Sequence, residues 1–107
     1  MTETEERITR ILTDEKLSAI KRMLEKDHAI DCLFILYMEK GKWKNAKDFT
    51  RKNGLTLSDG TFRMRMIEIE NLGLAKSTQI DPLKRYWTIT KKGENIAKML
   101  LNLFEQL

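Results

Sequence analysis

Residues 58–93 read SDGTFRMRMIEIENLGLAKSTQIDPLKRYWTITKKG, and the order of signals within them decides the fold. Ser58 has the side chain of a good helix N-cap. Phe62, Met66, Ile69 and Leu72 follow at four- and three-residue steps, so they share one buried stripe. Gly73 can adopt the left-handed conformation that ends a helix. Leu74–Ile80 and Arg85–Thr90 then read as antiparallel strands around Asp81-Pro82-Leu83-Lys84, because Pro82 suits a turn and has no N–H to give a central ladder. Thr90 caps a last helix. The spacing predicts a helix over 58–72, a hairpin with its tip at 80–86, and a terminal helix from 91.

Working outward, the last helix carries Ile96, Leu100, Leu103 and Leu107 at steps of four, three and four, the kind of seam coiled coils use. Upstream, Ile8, Ile11 and Leu12 fit one helix, and Thr13-Asp14-Glu15 offer a cap and an acidic first turn for a second. Leu17, Ile20, Met23 and Leu24 form its apolar side. A break is expected at Asp27 or His28, with one continuous helix as the alternative. AIDCLFILYMEKG, residues 29–41, is apolar almost all round and reads as the central buried helix, ended by Gly41. Lys42-Trp43-Lys44 suits a very short strand, and Asn45 caps a brief helix that Gly54 stops. Leu55 and Leu57 fit an apolar staple across the next connection.

The chain has 107 residues, 41% hydrophobic and 34% charged, which suits one globular domain with a modest core. The acidic start MTETEERITR lacks the basic and apolar regions of a signal peptide. The longest apolar run, Cys32 to Met38, is far too short to span a membrane, so a cytoplasmic, nucleoid-associated protein is expected. One His and one Cys argue against a Cys/His zinc site. With no glycine-rich phosphate loop, nucleophile elbow or paired metal motif, neither an enzyme nor a cofactor is expected. Cys32 reads as a buried inert thiol, an interchain disulfide or redox sensor being the alternative.

The net charge of +4 is unevenly spread. Lys40, Lys42, Lys44, Lys47, Arg51, Lys52, Arg63 and Arg65 fall within 40–65 against only Asp48 and Asp59, and a second basic cluster spans 81–92. Binding to a polyanion predicts such a concentration; ordinary solvated lysines are the plain alternative.

The helix ending in Leu72-Gly73-Leu74, the hairpin, and the closing Ile89-Thr90-Lys91-Lys92-Gly93 resemble a winged helix-turn-helix domain, above all the MarR-like and related small archaeal transcription regulators. The resemblance covers roughly residues 28–107. It implies an α+β, mostly α fold: a winged helix-turn-helix with a two- or three-stranded small sheet and extra N- and C-terminal helices. The whole chain then forms one domain. Residues 1–27 are a helical extension, 28–90 the winged core and 91–107 a dimerisation helix. Two departures stand out: the N-terminal helices show no polar set for an effector pocket, and the wing is short.

The resemblance also implies a homodimeric, sequence-specific regulator of transcription, with helix 58–72 in the major groove of double-stranded DNA and wing 80–86 on the backbone. On the helix face away from the core, Arg63 and Arg65 would pair with guanine or phosphate, and Thr61 and Met64 would touch thymine methyls. The alternative for both arginines is pairing with Glu68 or Glu70 along the same helix. Phosphates would be held by Lys44, Lys47, Arg51, Lys52, Lys84 and Arg85, with Ser58 at a positive helix N-terminus. Trp43 and Trp87 read as packing residues ahead of nucleobase-stacking ones. Ile67 sits beside the buried stripe, placed to pack under the wing or to touch a partner. The apolar stripes of Ile8, Ile11, Leu12, Ile96, Leu100, Leu103, Phe104 and Leu107 are expected at a two-fold interface, unless the terminal helices cover one another within one chain. Two other functions fit the same sequence: a winged-helix protein-interaction module in a larger assembly, and a low-specificity chromatin-like DNA-binding protein.

Overall fold

The computed structural model describes residues 2–39, 54, 57–81 and 84–107, with backbone alone at Ile80, Asp81 and Lys84. Within them the chain runs α1 (Glu3–Thr13), α2 (Glu15–Leu24), α3 (Ala29–Met38), α4 (Asp59–Asn71), β1 (Ala75–Asp81), β2 (Lys84–Ile89) and α5 (Lys91–Glu105). Gly41, the Lys42-Trp43-Lys44 strand, the helix capped by Asn45 and the Leu55 staple lie outside the described residues.

Local chemistry sets the boundaries. Four helices begin on a side chain that accepts a backbone N–H: Thr2 from Glu5, Asp14 from Leu17, Ser58 from Thr61 and Thr90 from Gly93. Asp14 therefore separates α1 from α2. The expected break before α3 falls at His28, whose φ of 60° makes it the only non-glycine with positive φ among the described residues. Its Nδ1 lies 2.9 Å from Asp31 Oδ2.

The core gathers Met23 from α2, Ala29, Cys32, Leu33, Ile35 and Leu36 from α3, Phe62, Met66 and Ile69 from α4, and Leu74, Ala75, Trp87 and Ala97 around them. The α4 stripe is thus buried as its spacing requires. Trp87 packs edge-on against Phe62, with ring centroids 6.0 Å apart. Cys32 is fully buried, and burial, then the nearby Asp31 carboxylate, push its thiol up to about 12. Burial and the raised pKa both favour the protonated thiol.

The hairpin is a two-stranded antiparallel ladder pairing Ala75 with Ile89, Ser77 with Trp87 and Gln79 with Arg85. An irregularity between Gln79 and Asp81 brings Asp81 opposite Lys84. Both strands lie about one residue away from their expected bounds, because Leu74 belongs to the turn and Thr90 to the helix cap.

The two motifs that carried the resemblance meet here. Thr90 Oγ1 donates to Gly73 O at 2.7 Å, and Thr90 N–H to Leu74 O at 3.0 Å. Gly73 has φ +78°, and a Cβ on Gly93 would stand 2.1 Å from Leu74 O. Lys92 Nζ reaches Leu72 O at 3.4 Å, a cation at the C-terminal end of α4. The Leu-Gly-Leu and Ile-Thr-x-x-Gly steps are therefore the two halves of one junction, which seats α4, the hairpin and α5 together.

Outside the core the pattern changes. α1 buries no residue. Ile8 is 52% exposed, Leu103 52% and Leu107 89%; Ile11, Leu12 and Phe104 are also exposed. Ile96 and Leu100 differ from that expectation: they are half-buried against this chain's own core, where α5 packs on α3. Phe104 also meets Phe34 of α3, edge-on at 6.1 Å.

Candidate nucleic-acid interface

Successive residues of an α-helix are turned by about 100°, so burial of Phe62, Met66 and Ile69 fixes where every other α4 side chain points. The face opposite the core carries Gly60, Arg63, Met64, Ile67 and Asn71, all exposed. Met64 is 57% exposed and Ile67 37%. Arg63 is exposed and has no hydrogen-bond or ion-pair partner among the described residues. Asp59 is exposed in the first turn, beside the cap. Thr61 is half-buried, and Ser58 Oγ both accepts from Thr61 N–H at 3.1 Å and donates to Thr61 Oγ1 at 3.0 Å. Both hydroxyls are thus engaged in the cap.

Arg65 departs from the sequence expectation. Its side chain is only 13% exposed. Its Nε donates to Asp27 O at 2.8 Å, and Nη1 pairs with Glu68. Lys26 pairs with the other oxygen of the same carboxylate. The physical reason is angular: two residues along a helix is about 200°, so Arg63 and Arg65 cannot share a face. Arg65 points to the α2–α3 turn and takes the alternative considered for it, a partner along its own helix. Burial works to raise the Glu68 pKa, but the hydrogen bonds and charges of Lys26 and Arg65 outweigh it and hold the carboxyl below its usual value.

Glu70, on the other flank, accepts from Ser77 Oγ at 2.6 Å and from Trp87 Nε1 at 3.3 Å. Glu68 and Glu70 are therefore turned off the outer face and bound, whereas Asp59 is exposed at the first turn. Glu68 ties α4 to the α2–α3 turn, and Glu70 ties it to the hairpin. A groove lined by phosphates would meet Arg63 without either carboxylate in front of it.

On the hairpin, strand alternation puts Arg85, half-buried, on the same side as Trp87 and Ile89, while Lys76 on the neighbouring strand is exposed. The backbone of Lys84 lies opposite Asp81 at the tip. Lys44, Lys47, Arg51 and Lys52, like Trp43, fall outside the described residues. Sequence reasoning missed Lys76 and Asn71 and left Ile67 unassigned. The helical angle measured from Phe62 would have found Asn71 and Ile67.

Several clefts flank the N-terminal helices. One, of about 480 Å³, is lined by Lys26, Asp27, His28, Asp31, Phe34 and Phe104 among others, so polar side chains do surround a cavity there. The second, of about 420 Å³, is almost wholly apolar and is lined by Ile11, Leu17, Ile20, Leu24, Ile30 and Leu100, with Lys21 and Glu25 at its edge. Among the described residues no group of His, Cys, Asp and Glu could hold a metal ion, and no helix is long and apolar enough to cross a membrane.

No protein-family model matches the chain, and no curated protein matches it in sequence. Solved structures do match in fold. MepR, a transcription regulator of the Staphylococcus aureus multidrug efflux pump MepA, superposes with a TM-score of 0.65 at 14% identity, over 99% of this chain and 78% of that one. AF1382 from Archaeoglobus fulgidus gives 0.64 at 16% identity, over 78% and 91%. MarR gives 0.63 at 17% identity, over 98% and 77%. With α4 followed directly by a two-stranded hairpin and closed by a helix on its far side, the chain has the winged helix-turn-helix fold of the MarR-like regulators.

Proposed function

We propose that the chain is a DNA-binding transcription regulator that works in the cytoplasm as a two-fold homodimer and reads a pseudo-palindromic duplex sequence. α4 enters the major groove and the hairpin rests on the adjacent backbone. The observation that carries this reading is the outer face of α4: an exposed arginine, two exposed apolar side chains and an exposed amide, with both carboxylates of its C-terminal half held off to the flanks. Arg63 would read guanine or clamp a phosphate, Met64 and Ile67 would meet thymine methyls, and Asn71 would offer a donor and an acceptor. Lys76, Arg85 and Lys84, with Lys44, Lys47, Arg51 and Lys52, would position the backbone. A MepR structure in complex with DNA, similar at a TM-score of 0.63, supports DNA as the partner of this fold.

The dimer rests on the exposed stripes of α1 and the end of α5. Two chains exchanging these faces would cover Ile8, Ile11, Leu12, Leu103 and Leu107 and set the spacing between two copies of α4.

A protein-interaction module is favoured by one observation, the exposed pair Met64 and Ile67. The experiment that separates the readings is binding to selected and random duplexes across a salt series. A regulator binds the selected duplex more tightly, and affinity for both falls as salt rises. Equal affinity for all duplexes would favour a chromatin-like protein. Absence of binding at low salt would leave the interaction module.

A further inference from the structure

We propose that Glu68 is a specificity-determining and positioning residue: by clamping both Arg65 and Lys26, it withholds two cations from DNA and leaves Arg63 as the exposed arginine of the recognition helix. This rests on the DNA-binding reading above.

The geometry is specific. Oε1 of Glu68 takes Arg65 Nη1 and Oε2 takes Lys26 Nζ, so a single carboxylate occupies a cation from α4 and one from the end of α2. Arg65 Nε is then fixed on Asp27 O, within the turn that ends at the left-handed His28. The guanidinium therefore bridges its own helix and the α2–α3 turn. That cross-link sets how far α4 can roll about its axis, and with it where Arg63 points. The other ionisable groups near the turn are Lys21, Arg22, Glu25, Asp27, His28 and Asp31. Glu25 is bound to Lys21, and Asp31 to His28. They leave Glu68 as the partner of both cations.

Unspecific attraction to DNA grows with the number of cations that reach phosphate, whereas discrimination depends on side chains held at base edges. Removing the Glu68 charge frees Arg65 and Lys26 to swing toward the backbone beside the groove, and it loosens the roll of α4. Both changes push binding from selective toward indiscriminate.

The test uses the full chain, a duplex selected from a random pool by the unaltered protein, and a random duplex of equal length. Affinity for each is measured over a salt series. For Glu68→Gln the slope of log affinity against log salt on random duplex should steepen by about one to two, one per freed cation. The preference for the selected duplex should fall several-fold. Adding Arg65→Ala to Glu68→Gln should return about one of that slope. Arg65→Ala alone should leave the salt slope unaltered, and it carries the test should Glu68→Gln not fold. An unchanged slope in Glu68→Gln would overturn the proposal, as would a slope flattened by about one in Arg65→Ala alone. If the unaltered protein shows no salt-dependent binding to any duplex, the DNA-binding reading itself falls, and this inference with it.

Discussion

α4 and α1 are helices of similar length and similar capping, each with an apolar stripe, yet the stripe of one is buried within its own chain and that of the other is not. α4 inserts Phe62, Met66 and Ile69 into the core, and its flanks are tied down by Glu68 and Glu70. α1 has a Thr2 cap and an apolar stripe of Ile8, Ile11 and Leu12, but buries nothing. The molecule is correspondingly long, 52 × 29 × 24 Å. Helix stability in proteins comes mainly from packing an apolar face, so the exposed stripe of α1 is the natural place for the contact between chains proposed above. The difference teaches that amphipathicity shows which side of a helix will be covered. It does not show by which molecule.

The sharpest way to break the comparison is to cut matching apolar residues from each helix. Phe62→Ala should cost about 3–5 kcal/mol, since it removes a fully buried ring that packs on Trp87. Leu12→Ala should stay within about 0.5 kcal/mol in dilute protein, as for other exposed sites. Chemical denaturation measures both, and equal losses would show that α1 is covered within its own chain. Next in size is Leu103→Glu, which places a charge in the exposed seam and should convert a sedimenting dimer to a monomer with its thermal melt little changed. Leu100→Glu is a poorer probe, because Leu100 is half-buried in the chain's own core and would disturb both. Ser58→Ala removes the α4 cap and should cost about 1 kcal/mol by denaturant titration.

The smallest effect is pH-dependent. The folded-state pKa of Glu68 is depressed, so the stability it adds is fully present above the ordinary carboxylate pKa and is lost as pH falls through the folded value. Glu68→Gln should therefore be less stable than the unaltered protein at pH 7, and the gap should close in acid. A gap that does not vary with pH would show that the clamp is not ionic.

Much of the fold was legible in the sequence because its signals are local. Caps at Ser58 and Thr90, the left-handed Gly73 and the Phe62–Ile69 stripe depend only on neighbours within a turn. The reason for the Ile-Thr-x-x-Gly step was not legible, because it lies in the carbonyls of Gly73 and Leu74, brought close only by the hairpin. The site was read less fully for the same reason. Arg63 could be placed on the outer face from the period alone. The fate of Arg65 depended on Lys26 and Asp27, far away in sequence but adjacent in space. Ile96 and Leu100 are half-buried against the core while Leu103 and Leu107 are exposed, a split that no seam of leucines reveals.

Arg63 carries the central claim, since it is the exposed cation on the outward face of a helix whose other arginine is bound. The most direct measurement compares Arg63→Ala with the unaltered protein on a selected and a random duplex at one fixed salt concentration. We expect the selected duplex to be bound about 1–3 kcal/mol more weakly, with the random duplex affected much less. Unchanged affinity for the selected duplex would contradict the assignment of this face as the surface that reads DNA.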